Sequence, residues 1–196
     1  MSKFHGAVAI VSGRAKGVGK ATYQAFVQQG ARVVIADNDE LAGKQTEAAL
    51  NQSEEVALYA WVDIALEEGV EAMVRRAALH CGRVDVLVNW AAVFIMRGIE
   101  ATVEEWQRIM DVNVMGQALC VKHVVPEMIK VGKGAVVSIT SISSSIAQPH
   151  CVSYSATKEV IMNMNIFIPL CLAEKIFALM RSLLVPSGPK ATRVRS

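Results

Sequence analysis

A tyrosine and a lysine four positions apart are the residues of this sequence best suited to proton transfer. Tyr154 and Lys158 lie in a segment with a helical pattern, so both side chains fall on one face of a helix. A phenol with a pKa of about 10 is a poor base at neutral pH, and an ammonium about 5 Å away favours the phenolate. Such a pair can exchange a proton with an alcohol oxygen. Because it also arises by chance, its position matters: Ser141 stands ahead of it at the end of an apolar run, and Asn113 lies in the preceding helix.

A glycine-rich loop near the amino terminus is suited to holding a phosphate. Gly13, Gly17 and Gly19 follow the first apolar run and open a helix, so the backbone can approach a pyrophosphate that the helix N-terminus attracts. Asp37 stands at the end of the second apolar run, where it can accept both hydroxyls of an adenosine ribose. Its charge repels a 2′-phosphate and favours NAD over NADP. Lys16 points the other way, since a cation there could meet that phosphate.

These side chains require a scaffold of parallel strands joined by helices, and the pattern supplies one. Apolar runs alternate with helical segments, which predicts an α/β fold with a doubly wound parallel sheet, and ligands of such sheets bind beyond the carboxyl ends of the strands. We expect Asp37, Asp63, Asn89 and Ser141 at that edge. The predicted strands are Ala7 to Val11, Arg32 to Ala36, Val56 to Val62, Asp85 to Val88 and Gly134 to Ile139; the predicted helices are Gly17 to Gly30, Ala65 to Cys81, a long helix from a Thr102/Glu105 capping box toward Pro126, and one starting near Ser153.

Composition excludes several classes of function. The 196 residues are 53% hydrophobic and 19% charged, which suits one domain, and a net charge of +2 without a basic stripe argues against a nucleic-acid partner. The apolar segment from Val160 to Val185 is interrupted by Pro169 and three charges, so no membrane span is predicted. The first apolar run is too short for a signal peptide, and we expect a cytoplasmic protein. The four cysteines form no ligand pattern, so no metal is expected.

From residue 4 to about 164 the chain resembles the short-chain dehydrogenase/reductase family, whose fold is Rossmann-like. The motifs that carry the resemblance occur together and in order. They are the Ser-Gly-x-x-x-Gly-x-Gly loop from Ser12 to Gly19, Asp37, Asp63, Asn89-Trp90-Ala91-Ala92, Asn113 within Asp-Val-Asn-Val, Ser141, and Tyr154-Ser155-Ala156-Thr157-Lys158.

The resemblance implies an oxidoreductase that interconverts a secondary alcohol and a ketone with NAD(H). In that case Tyr154 is the general acid/base, Ser141 binds the substrate oxygen, Lys158 also holds the nicotinamide ribose, and Asn113 anchors a proton-relay water. It also implies a small-molecule substrate and a homo-oligomer if the fold is complete. The residues implied in cofactor binding are Gly13, Arg14, Lys16, Gly17, Val18, Gly19, Asp37, Asp63, Ile64, Asn89, Ala91, Tyr154 and Lys158.

The chain departs from the family pattern in two places. Trp90 and Ala92 replace a small polar residue and a glycine, which places an indole and an extra Cβ beside the cofactor. After Met164 no later strand is recognisable, and Pro169 is expected to break the last helix. We therefore divide the sequence into a family domain at 1–164 and a divergent tail at 165–196. The predicted fold is incomplete at its substrate-binding end.

A shift in reading frame would explain the tail. If residues 175–191 are written as codons and read two nucleotides further on, permitted codons give Asn-Ile-Arg-Val-Asn-Ala-Val-Ser-Pro-Gly-Pro-Val-Arg-Thr-Glu-Gly. That string resembles the sixth strand and Pro-Gly turn of the family. We therefore expect a frameshift, retained intron or gene-model error between Met164 and Lys175.

Other functions stay open at this point. A chain with the Tyr154/Lys158 pair but no substrate lid could be an inert nucleotide-binding fragment. A methyltransferase also has a glycine-rich first loop, but it does not require Ser141, Tyr154 and Lys158 together. The substrate cannot be inferred from the sequence; His150 and Val152 either line its pocket or are loop residues with no role.

Overall fold

A computed structural model of the chain describes residues 2–13, 18–172 and 177–185. Six strands and six α-helices alternate along these segments. A π-helical segment, Asp111–Gly116, separates α4 from α5, and a short 3-10 turn, Ile142–Ser144, follows β5. The elements are β1 Val8–Ser12, α1 Val18–Gln28, β2 Arg32–Asp37, α2 Glu40–Leu50, β3 Ala57–Trp61, α3 Glu67–Cys81, β4 Val86–Asn89, α4 Val103–Met110, α5 Gln117–Val131, β5 Lys133–Ser141, α6 Val152–Leu172 and β6 Phe177–Val185.

The strands form one parallel sheet in the order β3-β2-β1-β4-β5-β6. The chain leaves β3 at one edge and returns to pair β4 beside β1, so the crossover direction reverses between β1 and β4. In doubly wound sheets this reversal opens a crevice at the carboxyl ends of the strands. The expected α/β doubly wound fold is confirmed.

Both faces of the sheet are covered, which explains why its strands are apolar runs without alternation. On one face, α3 and α5 pack on Ile10, Val34 and Leu87. On the other, Val11, Ile35 and Tyr23 belong to a second cluster. The five residues of β1 are all buried, as expected for a strand at the centre of the sheet.

The structure corrects the expectations for the long helix and for the chain after Met164. The helix from the Thr102/Glu105 capping box, which forms as expected, is not continuous but is interrupted by the π-helical segment. Pro169 does not end α6, which continues to Leu172, because a proline near a helix end removes only one of the few remaining backbone bonds. A sixth strand is also present, since β6 pairs with β5 from Lys133 to Ser141. None of the helices described is both long and apolar enough to cross a bilayer.

Candidate active site

A cavity of about 430 Å³ opens at the carboxyl edge of β1 to β4. Its lining comes from four consecutive strand ends and from α4 with the π-helical segment that follows it. The lining residues are Gly13, Ala36, Asp37, Asn38, Asp39, Ala42, Val62, Asp63, Ile64, Ala91, Ala92, Val93, Arg108 and Val112. The sequence-based expectation had placed Gly13, Asp37, Asp63, Ile64 and Ala91 in one binding site, and all five contribute to this lining.

Gly13 has no space for a side chain. Its φ is +82°, and a Cβ built there would lie 2.4 Å from the Cα of Ala91. Two strand ends therefore meet backbone to backbone on the floor of the cavity, and any other residue at position 13 would push them apart.

Asp37 is placed at the end of β2 with its side chain largely buried. It is 7% exposed, and its Oδ1 accepts a hydrogen bond of 2.9 Å from the amide of Asp39. Asp39 in turn caps α2 by accepting from the amide of Ala42. The Asp37 carboxylate is thus fixed against the cavity, in a geometry suited to accepting hydrogen bonds from two neighbouring hydroxyls.

Arg108 on α4 also lines the cavity, and the sequence analysis did not single it out. Its guanidinium lies 3.5 Å from the Oδ2 of Asp63, whose Oδ1 accepts from the amide of Ala65. The pair places a cation at a rim that otherwise carries the carboxylates of Asp37 and Asp39. No sequence signal connects Arg108 to Asp63, because the two lie 45 residues apart.

Asn89 and Trp90 are not among the residues that line the cavity. Asn89 is fully buried and donates to the carbonyl of Gln117 at 3.4 Å, which ties β4 to α5. The Trp90 side chain packs against the second core cluster, while Ala92 contributes to the cavity lining. The indole expected beside the cofactor is therefore half-buried against this core cluster, and the added Cβ of Ala92 is the departure that meets the cavity.

Tyr154 and Lys158 lie together at the start of α6. They are 3% and 2% exposed, and the Lys158 Nζ is 5.6 Å from the centre of the Tyr154 ring. The ammonium donates a hydrogen bond of 2.7 Å to the carbonyl of Ile139 on β5, which fixes the position of the ammonium relative to the sheet. Burial lowers the pKa of Lys158 to about 8. The arrangement holds a cation beside a buried phenol, and the cation favours the phenolate against the desolvation that opposes it.

Ser141 ends β5 on the same side of the sheet and is fully buried. Its Oγ is 2.9 Å from the Oγ of Ser143 and accepts from the amide of Ser143 at 3.2 Å. These bonds fix the hydroxyl at the mouth of the strand. A substrate oxygen that bound the Ser141 hydroxyl would replace Ser143 as the hydrogen-bonding partner of that hydroxyl.

Asn113 connects the two halves of the site. Its Oδ1 accepts from the amide of Val93, and its Nδ2 donates to the carbonyl of Val93 and to the Oγ1 of Thr157. Val93 lines the cavity and Thr157 lies beside Lys158 on α6. The Asn113 side chain thus connects the cavity lining at Val93 to α6 at Thr157. The proton-relay role of Asn113 stays a prediction.

The remaining expected positions divide between described and undescribed parts of the chain. Gly19 is buried in α1, which begins at Val18; Arg14, Lys16 and Gly17 lie outside the described residues. His150 is exposed, has a φ of 58°, and lies 3.9 Å from a carboxylate oxygen of Glu100, while Val152 begins α6 and is 45% exposed. Within the described segments no group of three His, Cys, Asp or Glu side chains is placed to hold a metal ion.

Comparison with known proteins places this arrangement among dehydrogenases. A family model described as short chain dehydrogenase matches residues 7–169. An uncharacterized oxidoreductase of Thermotoga maritima is 40% identical over 154 residues, 78% of this chain and 60% of that protein. The cis-4-hydroxycyclohexanecarboxylate dehydrogenase of Sinomonas cyclohexanicum is 36% identical over 160 residues, 81% of this chain and 64% of that protein. The chain thus spans less than two thirds of the length of either relative.

Two solved structures of related proteins are also similar to this chain. A 3-ketoacyl-(acyl-carrier-protein) reductase of Brucella melitensis, complexed with NADH, matches with a TM-score of 0.85 at 27% identity and covers 93% of this chain and 76% of that one. A short chain dehydrogenase/reductase of Burkholderia phymatum, in complex with NAD, matches with a TM-score of 0.90 at 25% identity and covers 96% of this chain and 68% of that one.

Proposed function

This chain belongs to the short-chain dehydrogenase family, and on that basis we propose that its protein interconverts a secondary alcohol and a ketone by hydride transfer with NAD(H). The observation that carries the proposal is the buried pair on α6, in which the Lys158 Nζ lies 5.6 Å from the Tyr154 ring. Burying an ammonium costs desolvation free energy, and groups buried in this way are often found at functional sites. The position of the ammonium beside a phenol therefore supports a role in proton transfer.

The residues divide the work of the reaction. The nicotinamide supplies or accepts the hydride when it is bound. Tyr154 gives the proton to the substrate oxygen in reduction and takes it in oxidation, and the Lys158 ammonium stabilises the phenolate form. Since the pKa of Lys158 is lowered to about 8, the side chain is mostly protonated at pH 7 and loses its charge above that value. Ser141 hydrogen-bonds the same oxygen and orients the reacting carbon.

The cavity at the strand ends is suited to the adenosine end of a dinucleotide. The floor at Gly13 is closed to any side chain, and Asp37 is fixed at the rim where a ribose with two free hydroxyls would lie. We propose NAD over NADP, because the carboxylate repels a 2′-phosphate. Arg108 balances part of the acidic rim and is held by Asp63. Two structural relatives carry NADH or NAD in their solved complexes, which supports a nicotinamide cofactor here.

A direct test measures binding and chemistry separately. NADH fluorescence on titration reports nucleotide binding, and a panel of secondary alcohols with NAD reports turnover. Tyr154→Phe should abolish turnover and retain saturable nucleotide binding, because it removes only the hydroxyl that exchanges the proton. Ser141→Ala should slow turnover, whereas Ser145→Ala is the matched control, since Ser145 is exposed in the same segment. Turnover that survives Tyr154→Phe would refute the mechanism.

The alternative is a chain that binds the nucleotide but turns nothing over. The observation that favours it is the contrast between the two halves of the site: the nucleotide cavity is formed, whereas Ser141 and Lys158 already have protein partners in Ser143 and Ile139. Saturable NADH binding with no activity on any alcohol or ketone of the panel would establish this alternative.

The proposal includes a small-molecule partner, a cytoplasmic location and, if the fold is complete, a homo-oligomer. Cys81, Cys120 and Cys151 are free thiols, which suits a reducing compartment. Light scattering after size-exclusion chromatography would give the oligomeric state, and fractionation of cells would give the location.

A further inference from the structure

We propose that Phe94 determines the substrate class: its ring forms an apolar wall on Tyr154 that selects a secondary alcohol or ketone bearing a hydrocarbon ring or chain over a polyol. This inference rests on the proposed function and deepens it. The central observation is the contact between the two rings, whose centres are 5.0 Å apart with planes inclined by 25°. The stacked arrangement places Phe94 against the side chain that exchanges the proton.

The segment that carries Phe94 is fixed on both sides. Ahead of it, the backbone of Val93 makes two hydrogen bonds with Asn113. After it, the carbonyl of Ile95 accepts 3.3 Å from the Oγ of Ser153, immediately before Tyr154 on α6. The Phe94 ring is therefore held in place by the backbone contacts of its neighbours, and the stack does not depend on the ring contact alone.

Met96 extends the same anchoring. Its Sδ lies 3.8 Å from the Sγ of Cys151, at the residue before α6 begins. Cys151, Ser153 and Tyr154 thus each contact the loop after β4 and hold it against the start of α6.

Exposure identifies which ring a ligand touches. Tyr154 is 3% exposed, whereas Phe94 and Met96 are 45% and 44% exposed. The surface against the Tyr154 ring is therefore provided by Phe94, and Met96 adds exposed apolar surface two residues further along the same loop. Large exposed apolar side chains beside a reacting group favour contact with an apolar ligand.

The chemistry of the segment gives the selection. The side chains of Val93, Phe94, Ile95 and Met96 carry no hydrogen-bond donor, and only the thioether is a weak acceptor. A polyol that lay against them would give up water without gaining hydrogen bonds, whereas a hydrocarbon ring would gain contact area. The wall therefore favours cyclohexanol over glycerol, two secondary alcohols that differ in this respect.

The test measures binding without requiring turnover. Saturation-transfer NMR gives the affinities for cyclohexanol and glycerol with NADH present, a pair that cannot react. Phe94→Leu should weaken cyclohexanol binding roughly three- to tenfold, the range for loss of one aromatic contact, and leave glycerol nearly unchanged. Phe94→Tyr keeps the stacked ring and should retain the preference. Phe4→Leu is the matched control, because Phe4 pairs with Phe26 at the same 5.0 Å distance away from the site.

A second measurement reports the stack itself. The chain has three tyrosines, so ring-labelled tyrosine gives three sets of NMR signals, and Tyr154→Phe assigns one of them. Phe94→Leu should remove the ring-current displacement of the Tyr154 signals, and Phe4→Leu should not. An unchanged cyclohexanol-to-glycerol ratio in Phe94→Leu, or unchanged Tyr154 signals, would overturn the inference, as would a folded wild type that prefers glycerol. By contrast, a Phe94-dependent preference without Tyr154-dependent turnover would defeat only the proposed reaction.

Discussion

Replacing Lys158 by methionine should make the protein more stable while removing the cation that the proposed mechanism requires. The Lys158 side chain is 2% exposed and its ammonium bonds to a neutral carbonyl, that of Ile139. Methionine has a similar unbranched volume and carries no charge to desolvate. The fold therefore bears a cost at this position that the proposed chemistry requires and the packing does not.

The pKa gives the size of that cost. Burial lowers the pKa of Lys158 from 10.5 to about 8, a change of about 2.5 units or about 3 kcal/mol. The sign follows from proton binding: between these values the unfolded chain holds a proton that the folded chain has released, so stability rises with pH across this window. Below pH 8 both states are charged and the full cost applies. Lys158→Met should thus add up to about 3 kcal/mol at pH 7 and much less at pH 10.

Urea unfolding at pH 7 and pH 10 measures the effect. The free energy of unfolding is compared among the wild type, Lys158→Met and Lys133→Met, whose lysine is exposed at the start of β5. Other titrating groups are common to all three proteins, so their effects cancel in the differences. A Lys158→Met protein that is less stable than the wild type at pH 7, or a difference that is the same at both pH values, would refute the reasoning.

Three further predictions concern the nucleotide edge and the tail. Gly13→Ala should lower both the stability of the fold and its affinity for NADH, because the new Cβ would clash with Ala91. Gly82→Ala is the control: Gly82 has a φ of +80° but open space around it, so its substitution reports only backbone strain of about 1–2 kcal/mol. Equal losses of stability in the two variants would contradict the clash with Ala91. Asp37→Ala should shift the ratio of NAD to NADP affinity toward NADP, with Glu54→Ala as an exposed control; equal affinity for both in the wild type would count against it. Transcript sequencing across codons 164–175 should reveal a shift in reading frame, and an uninterrupted frame there would end that hypothesis.

The strands were predictable from the sequence because buried parallel strands are continuous apolar runs. The helix α2 was not predicted, since Glu40–Leu50 is polar and its glycine at position 43 has a reason only in three dimensions, where a Cβ would strike the ring of Tyr59. β6 was also missed, because Phe177–Val185 does not match the family pattern on which the expectation for the tail depended.

The site was predictable wherever a residue ends a strand. Asp37 and Asp63 fall at the cavity because parallel strands bring their carboxyl ends to one edge. Arg108 and Phe94 could not be found in this way, since their partners lie 45 and 60 residues away along the chain and meet them only through helix packing. Single-residue patterns carry no information about such contacts.

The π-helical segment Asp111–Gly116 sets the rotational phase between α4 and α5. Each residue added to or removed from an α-helix turns everything beyond it by about 100°. A one-residue deletion that restored a regular helix here would keep Arg108 facing Asp63 but swing the face of α5 that packs on the sheet out toward solvent. Gly116 would leave its position against Ile64, where a Cβ would lie 2.7 Å from the Ile64 side chain. The π-helical segment therefore sets the rotation of α5 relative to α4, so that α4 presents Arg108 to the cavity while α5 presents its apolar face to the hydrophobic core.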